Sequence, residues 1–282
     1  MKKLITLFAM LSLALTGCSS SSGDEGGGGG AGEGGAGGAG EGGAGGAGGV
    51  ETQDVSITFS AVVGAQDFKC GATYTKLGAD ETMMQVSDFR FFVQSVELKN
   101  EDGDYVPVTL TENDWQAEGT TLLDFEDGCN ELGTEPMNAT VSGTVPEGSY
   151  DGLRFQMGVP FEPNHDNPAT APSPLNLTSM HWNWQGGYIF LALEGHYRVG
   201  KERSGFLLHF ARDPNRTEVN LPAKVALKDT ARVALDLDLA ALFAAPQPIA
   251  FATDGESTHS REGDALAAKI KANLPGAFRL HS

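Results

Sequence analysis

Residues 181–184 read His-Trp-Asn-Trp. Side chains alternate faces along a strand, so Trp182 and Trp184 share one face and His181 points to the other. Two indoles on one face suit two kinds of chemistry. Together with Tyr188 they make a stacking platform for a sugar or a protein partner. Alternatively, Trp182 stands beside imidazoles in a metal site, although an intact indole nitrogen is a donor only and cannot itself ligate a metal. Six histidines are available, at positions 165, 181, 196, 209, 259 and 281. His165 lies in a proline-rich stretch from which it can reach a site. His209 lies in the apolar run Gly-Phe-Leu-Leu-His-Phe, where a buried imidazole needs a partner. The same parity turns His181 away from Trp182 unless a bulge near Gly186-Gly187 re-aims it. His196, His259 and His281 read as surface residues.

Other chemistries find no support. There is no GxSxG, no HExxH and no cysteine left over as a nucleophile. Carboxylates are so numerous that no glycosidase pair stands out. The acidic turns 101–104 and 126–128 lack EF-hand spacing. The chain therefore reads as a binding protein and not as an enzyme. Its 282 residues carry 19 Lys and Arg against 37 Asp and Glu, a net charge of −18. Such acidity excludes a nucleic-acid partner, which needs clustered cations.

The elements that must hold these residues are strands. Val55, Ile57, Phe59 and Ala61 alternate with polar neighbours. Phe89, Phe91 and Val93 continue the pattern, and short apolar runs separated by turn residues recur through 238. No repeated alternation of strand and helix is present, so the expected fold is an all-β antiparallel sandwich. The end differs: Leu266, Ile270 and Leu274 recur every four residues, which predicts a short C-terminal helix over 264–274 with Asp264 as its N-cap. The stretch 160–179 carries five prolines, at 160, 163, 168, 172 and 174, and reads as a long functional loop.

Several of these segments together resemble a known family. DFRFFVQSVEL, TTLLDFEDG, GVPFEPNHDNPATAPSPLNLTSMHWNWQGGYIFLALEG and GFLLHF are similar to the MbnP-like proteins, the metallo-mystery-pair four-Cys-motif group of secreted copper-binding proteins. The resemblance covers about residues 55–275. It implies that Trp182, the first Trp of the pair, is oxidised to kynurenine by a partner di-haem peroxidase-type protein. It further implies that the kynurenine and histidines hold a Cu(I) ion, to which neutral nitrogen donors are well matched. His165 and His209 occupy positions of the family pattern and rank first as co-ligands, followed by His181 and then His259. Two departures stand out. The family pattern has four cysteines, of which this domain keeps two, and Phe210-Ala211-Arg212 replaces the usual Gly and Cys after His209.

The N-terminus supplies an address. Residues 1–17 have two lysines and then a short apolar core, too short for a comfortable membrane span, and read as a signal peptide. Leu15-Thr16-Gly17-Cys18 resembles the lipobox of bacterial lipoproteins, which implies lipidation of Cys18. Ser19, not Asp, follows it, and by the same resemblance this favours sorting to the outer membrane, facing the periplasm or the cell surface. Residues 18–49 hold 18 of the 38 glycines and no apolar side chain larger than Ala after Cys18, the composition of a flexible tether. The compact domain is then 50–282. In an oxidising compartment its two cysteines, Cys70 and Cys129, form a disulfide; two thiolates on a metal are the alternative.

Overall fold

The computed structural model describes residues 50–129, 135–183, 185–225 and 230–281. The signal peptide, Cys18 and the tether fall outside the described residues, and so does Trp184.

The principal strands are β1 (Thr52–Val63), β2 (Thr82–Asn100), β3 (Thr140–Pro146), β4 (Tyr150–Met157), β5 (His181–Asn183), β6 (Gly187–Val199), β7 (Glu202–Ala211), β8 (Thr217–Val225), β9 (Thr230–Asp238), β10 (Ser257–Thr258) and β11 (Phe278–Leu280). One sheet runs β11-β9-β1-β3, and the other runs β8-β4-β2-β6-β7-β10. This is the all-β sandwich with a C-terminal helix that the alternation implies. Most pairings are antiparallel, but β1 runs parallel to β9 and β7 parallel to β10. The second of these exceptions carries a site residue.

Alternation explains the interior. Val55, Ile57, Phe59 and Ala61 on β1 are buried while Asp54, Ser56, Thr58 and Ser60 beside them are exposed or half-buried; the alternation ends at Val62 and Val63, which are both buried. Phe59 meets Phe91 of β2 and Phe155 of β4 edge-on, at ring separations of 6.1 and 5.6 Å, and so joins the two sheets. Phe278 of β11 closes the same cluster. The helices α1 (Leu239–Ala244) and α2 (Ala265–Ala277) pack on one another, α1 also meeting β1 and α2 meeting β8. Asp264 caps α2 by accepting from the Ala267 N–H, and Leu266, Ile270 and Leu274 are buried, as their spacing requires. Cys70 and Cys129 are bonded, with Cα atoms 5.8 Å apart.

Candidate metal centre

The tryptophan hairpin is built by its turn. The Asn183 side-chain oxygen accepts from the N–H groups of Gln185 and Gly186 at 2.9 and 2.8 Å, and reverses the chain. Gly187 follows with φ +70°, a conformation that favours glycine. A Cβ there would stand 2.3 Å from Asn164 Oδ1, which accepts from the Tyr188 N–H at 2.8 Å. The proline-rich loop is thus pinned to the hairpin by Asn164, whose side chain is buried and also donates to Asp213.

Trp182 leaves this hairpin half-buried and lands between two imidazoles. Its ring centroid lies 5.9 Å from His209 and 5.5 Å from His259, and the two histidines are 5.7 Å apart. His209 comes from β7. His259 directly follows β10, the two-residue strand laid parallel on β7. Ser260 clamps the two segments together. It accepts from the Ala211 N–H at 3.1 Å and donates to the His209 carbonyl at 3.0 Å. The Arg212 guanidinium stands 5.9 Å over the Trp182 ring, and a cavity of about 360 Å3 opens beside Trp182, Gly186, Arg212, His259 and Arg261.

Burial favours the neutral form of His259. Partial desolvation lowers the His259 pKa below the usual imidazole value, and the nearby cationic groups Arg261 and Arg212 push it the same way against Asp264. His209 Nε2 lies 2.6 Å from Glu194 Oε1. Hydrogen bonding to His209 holds the Glu194 carboxyl below its ordinary range, although burial opposes it. The other ring nitrogen, His209 Nδ1, is buried with no hydrogen-bond partner among the described residues. Buried polar atoms rarely go unpaired, and a metal ion would satisfy this one.

The size of the ring group can be tested. A point equidistant from the three centroids lies about 3.3 Å from each, close to a ~2.0–2.1 Å metal–nitrogen bond plus the radius of an imidazole ring. What the group lacks is a third ordinary ligand. Among the described residues, the one place where three Cys, His or carboxylate ligand atoms gather within 4.8 Å is Cys70, Asp127 and Cys129. There the sulfurs are bonded to each other, which removes the two-thiolate alternative.

The histidines distribute differently from the sequence ranking. His209 reaches Trp182, and His259, ranked fourth and read as a surface residue, joins it while remaining exposed. His165 is not brought onto the ring group. Its Nε2 lies 2.7 Å from Asp213 and its ring packs on Phe161 at 4.9 Å, because a turn at Asp213–Asn215 presents that carboxylate to the loop. His181 diverges from Trp182, as strand parity demands, and packs on Tyr188 at 4.8 Å. Tyr188 itself corrects the parity reading. His181 and Tyr188 are direct cross-strand partners, so Tyr188 shares the face of His181 and not that of Trp182. Numerical parity does not carry across a hairpin. Tyr188 is also fully buried, with its hydroxyl donating to the Leu175 carbonyl, and cannot belong to a stacking platform.

The model of the MbnP family matches residues 52–260. This chain belongs to the MbnP family. The span that MbnP matches takes in Trp182, His209 and His259 and ends before α2. Among solved structures, MbnP from Methylosinus trichosporium aligns with a TM-score of 0.61 and 26% identity, over 78% of this chain and 88% of that one. No curated protein matches the chain.

Proposed function

We propose that this MbnP-family chain binds a single Cu(I) ion at Trp182, His209 and His259, after Trp182 has been converted to kynurenine by a partner di-haem peroxidase-type protein. The observation that carries the reading is the ring triangle, one of whose members, His209, has a buried Nδ1 with no hydrogen-bond partner among the described residues. Cu(I) accepts low coordination numbers and imidazole donors. Two imidazoles supply two positions, and the indole cannot supply the third, because its nitrogen has a proton and no free lone pair. Opening the indole, with net loss of one carbon and gain of one oxygen, leaves an aromatic amine whose nitrogen can donate. The half-exposed edge of Trp182 beside the cavity gives an oxidising partner access to it.

The role is copper handling or storage and not catalysis. A lipid on Cys18 would anchor the chain to the outer membrane, and the glycine-rich tether would let the domain sample the adjacent space. The deciding experiment compares protein produced with and without a di-haem partner, by peptide mass at residue 182 and by metal analysis. Kynurenine and one tightly held copper in the first preparation alone are expected. Equal copper in both, with unmodified Trp182, would overturn the reading.

A further inference from the structure

We infer that Glu194 is a positioning residue for this site: it holds the His209 proton on Nε2 and thereby makes Nδ1 the nitrogen that faces a metal with a lone pair. The inference rests on the copper-binding reading and specifies the donor atom. Glu194 is the only charged residue in the run Tyr-Ile-Phe-Leu-Ala-Leu-Glu of β6. Ala192 pairs with His209 across the β6–β7 ladder, so Glu194, two residues on, lies diagonally from His209 on the same face. The contact is 2.6 Å, from Oε1 to Nε2.

A neutral imidazole carries its proton on one nitrogen only. With the proton on Nδ1, the Nε2 lone pair would oppose a carboxylate oxygen at hydrogen-bond distance, and a buried N–H would have no acceptor. With the proton on Nε2, the carboxylate accepts it, and Nδ1 keeps a free lone pair in a buried place. The second arrangement satisfies Glu194 and leaves one unmet demand, which a cation at the ring triangle meets. The carboxylate is held in turn. Glu194 faces Asp88 across the β2–β6 ladder, and Arg90, hydrogen-bonded to Asp88 at 2.8 Å, places a positive charge near both acids. Carboxylates behind metal-bound imidazoles fix the tautomer and raise the basicity of the donor nitrogen.

The test is made on the mature, 15N-labelled chain without metal. Long-range 1H–15N correlation at mildly alkaline pH reads the His209 tautomer directly, and competition against a chromophoric Cu(I) chelator reads affinity. The expected result is Nε2–H in the native chain. Glu194→Gln, which keeps a carbonyl acceptor, should retain that tautomer and bind within a few-fold. Glu194→Ala should mix the tautomers and weaken Cu(I) binding by about 10–100-fold. Nδ1–H in the native chain would overturn the inference whether or not the alanine variant folds. An unchanged tautomer and affinity in a folded Glu194→Ala chain would do so as well. Undiminished Cu(I) binding by His209→Ala would instead remove the site reading on which the inference rests.

Discussion

The Trp182 and His259 rings lie 5.5 Å apart, closer than either lies to His209, although they come from a hairpin and from a turn far along the chain. On the proposed copper reading, His259 takes the ligand place that the family resemblance gave to His165. His259→Ala should therefore weaken Cu(I) binding by more than the ~10–100-fold that follows loss of an outer-sphere partner. His165→Ala should leave affinity unchanged and lower stability by about 1 kcal/mol through its lost bond to Asp213. A chelator competition on the two variants checks both. The opposite ranking would return His165 to the site.

Much of the frame could be read from residue types alone. Alternation in β1, the four-residue spacing and cap of α2, the pairing of Cys70 with Cys129 and the divergence of His181 from Trp182 all follow from local rules. The site could be read only in part. His259 is delivered by a two-residue strand, too short to have a period, whose parallel register on β7 is a tertiary event. Tyr188 changes face because a hairpin resets parity. Glu194 went unread: an acid ending the apolar run 188–194 was the available signal, and nothing local named His209 as its partner. For His165, the loop looked open, and the carboxylate that occupies it arrives from a turn after β7.

Replacing Trp182 tests the chemistry rather than the fold. Trp182→Phe keeps an aromatic ring against the two imidazoles but provides no route to an amine donor. It should bind Cu(I) weakly through His209 and His259, whether or not a di-haem partner is present during production. Tight binding by this variant would leave a plain histidine site and no role for kynurenine.

Gly187 has no room for a side chain. Its φ of +70° is strained for other residues, and a Cβ would press on Asn164 at 2.3 Å. Gly187→Ala should cost roughly 2–4 kcal/mol, since it combines backbone strain with overpacking against a buried amide. A thermal melt reads the loss. The anchoring bond from the Tyr188 N–H to Asn164 should loosen with it, and faster amide exchange at Tyr188 would report that. A variant as stable as the native chain would mean that the loop yields without cost.

Replacing Cys18, the proposed point of lipid attachment, tests the address. Cys18→Ser leaves the two disulfide cysteines untouched and should release the domain from the membrane fraction, or leave the precursor unprocessed. Fractionation and immunoblotting distinguish these from the native pattern. Retention of fully processed variant in the outer membrane would show that the lipobox reading is mistaken.

Asp124 gives the sandwich a pH dependence of definite sign. Burial raises its pKa from 3.8 to about 7, with Glu126 and Asp88 adding in the same direction, while a hydrogen bond from the Glu126 N–H and the charge of Arg90 oppose the rise. Between those two values the folded chain keeps a proton that the unfolded chain has lost. The stability contributed by this group is therefore fully present below the ordinary carboxylate pKa, and it declines as pH rises through about 7. Asp88 is shifted upward for the same first reason, burial, and acts in the same sense. His259 acts oppositely near its own lowered pKa, so the native profile alone is a mixture. The difference between the native chain and Asp124→Asn isolates the group, because the amide oxygen can still accept from the Glu126 N–H while carrying no charge. Denaturant melts across mildly acidic to mildly alkaline pH should show the variant gaining on the native chain as pH rises, with the gain levelling off above neutrality. Parallel profiles would mean that Asp124 titrates as an ordinary carboxylate and that the neighbouring Arg90 fully compensates its burial.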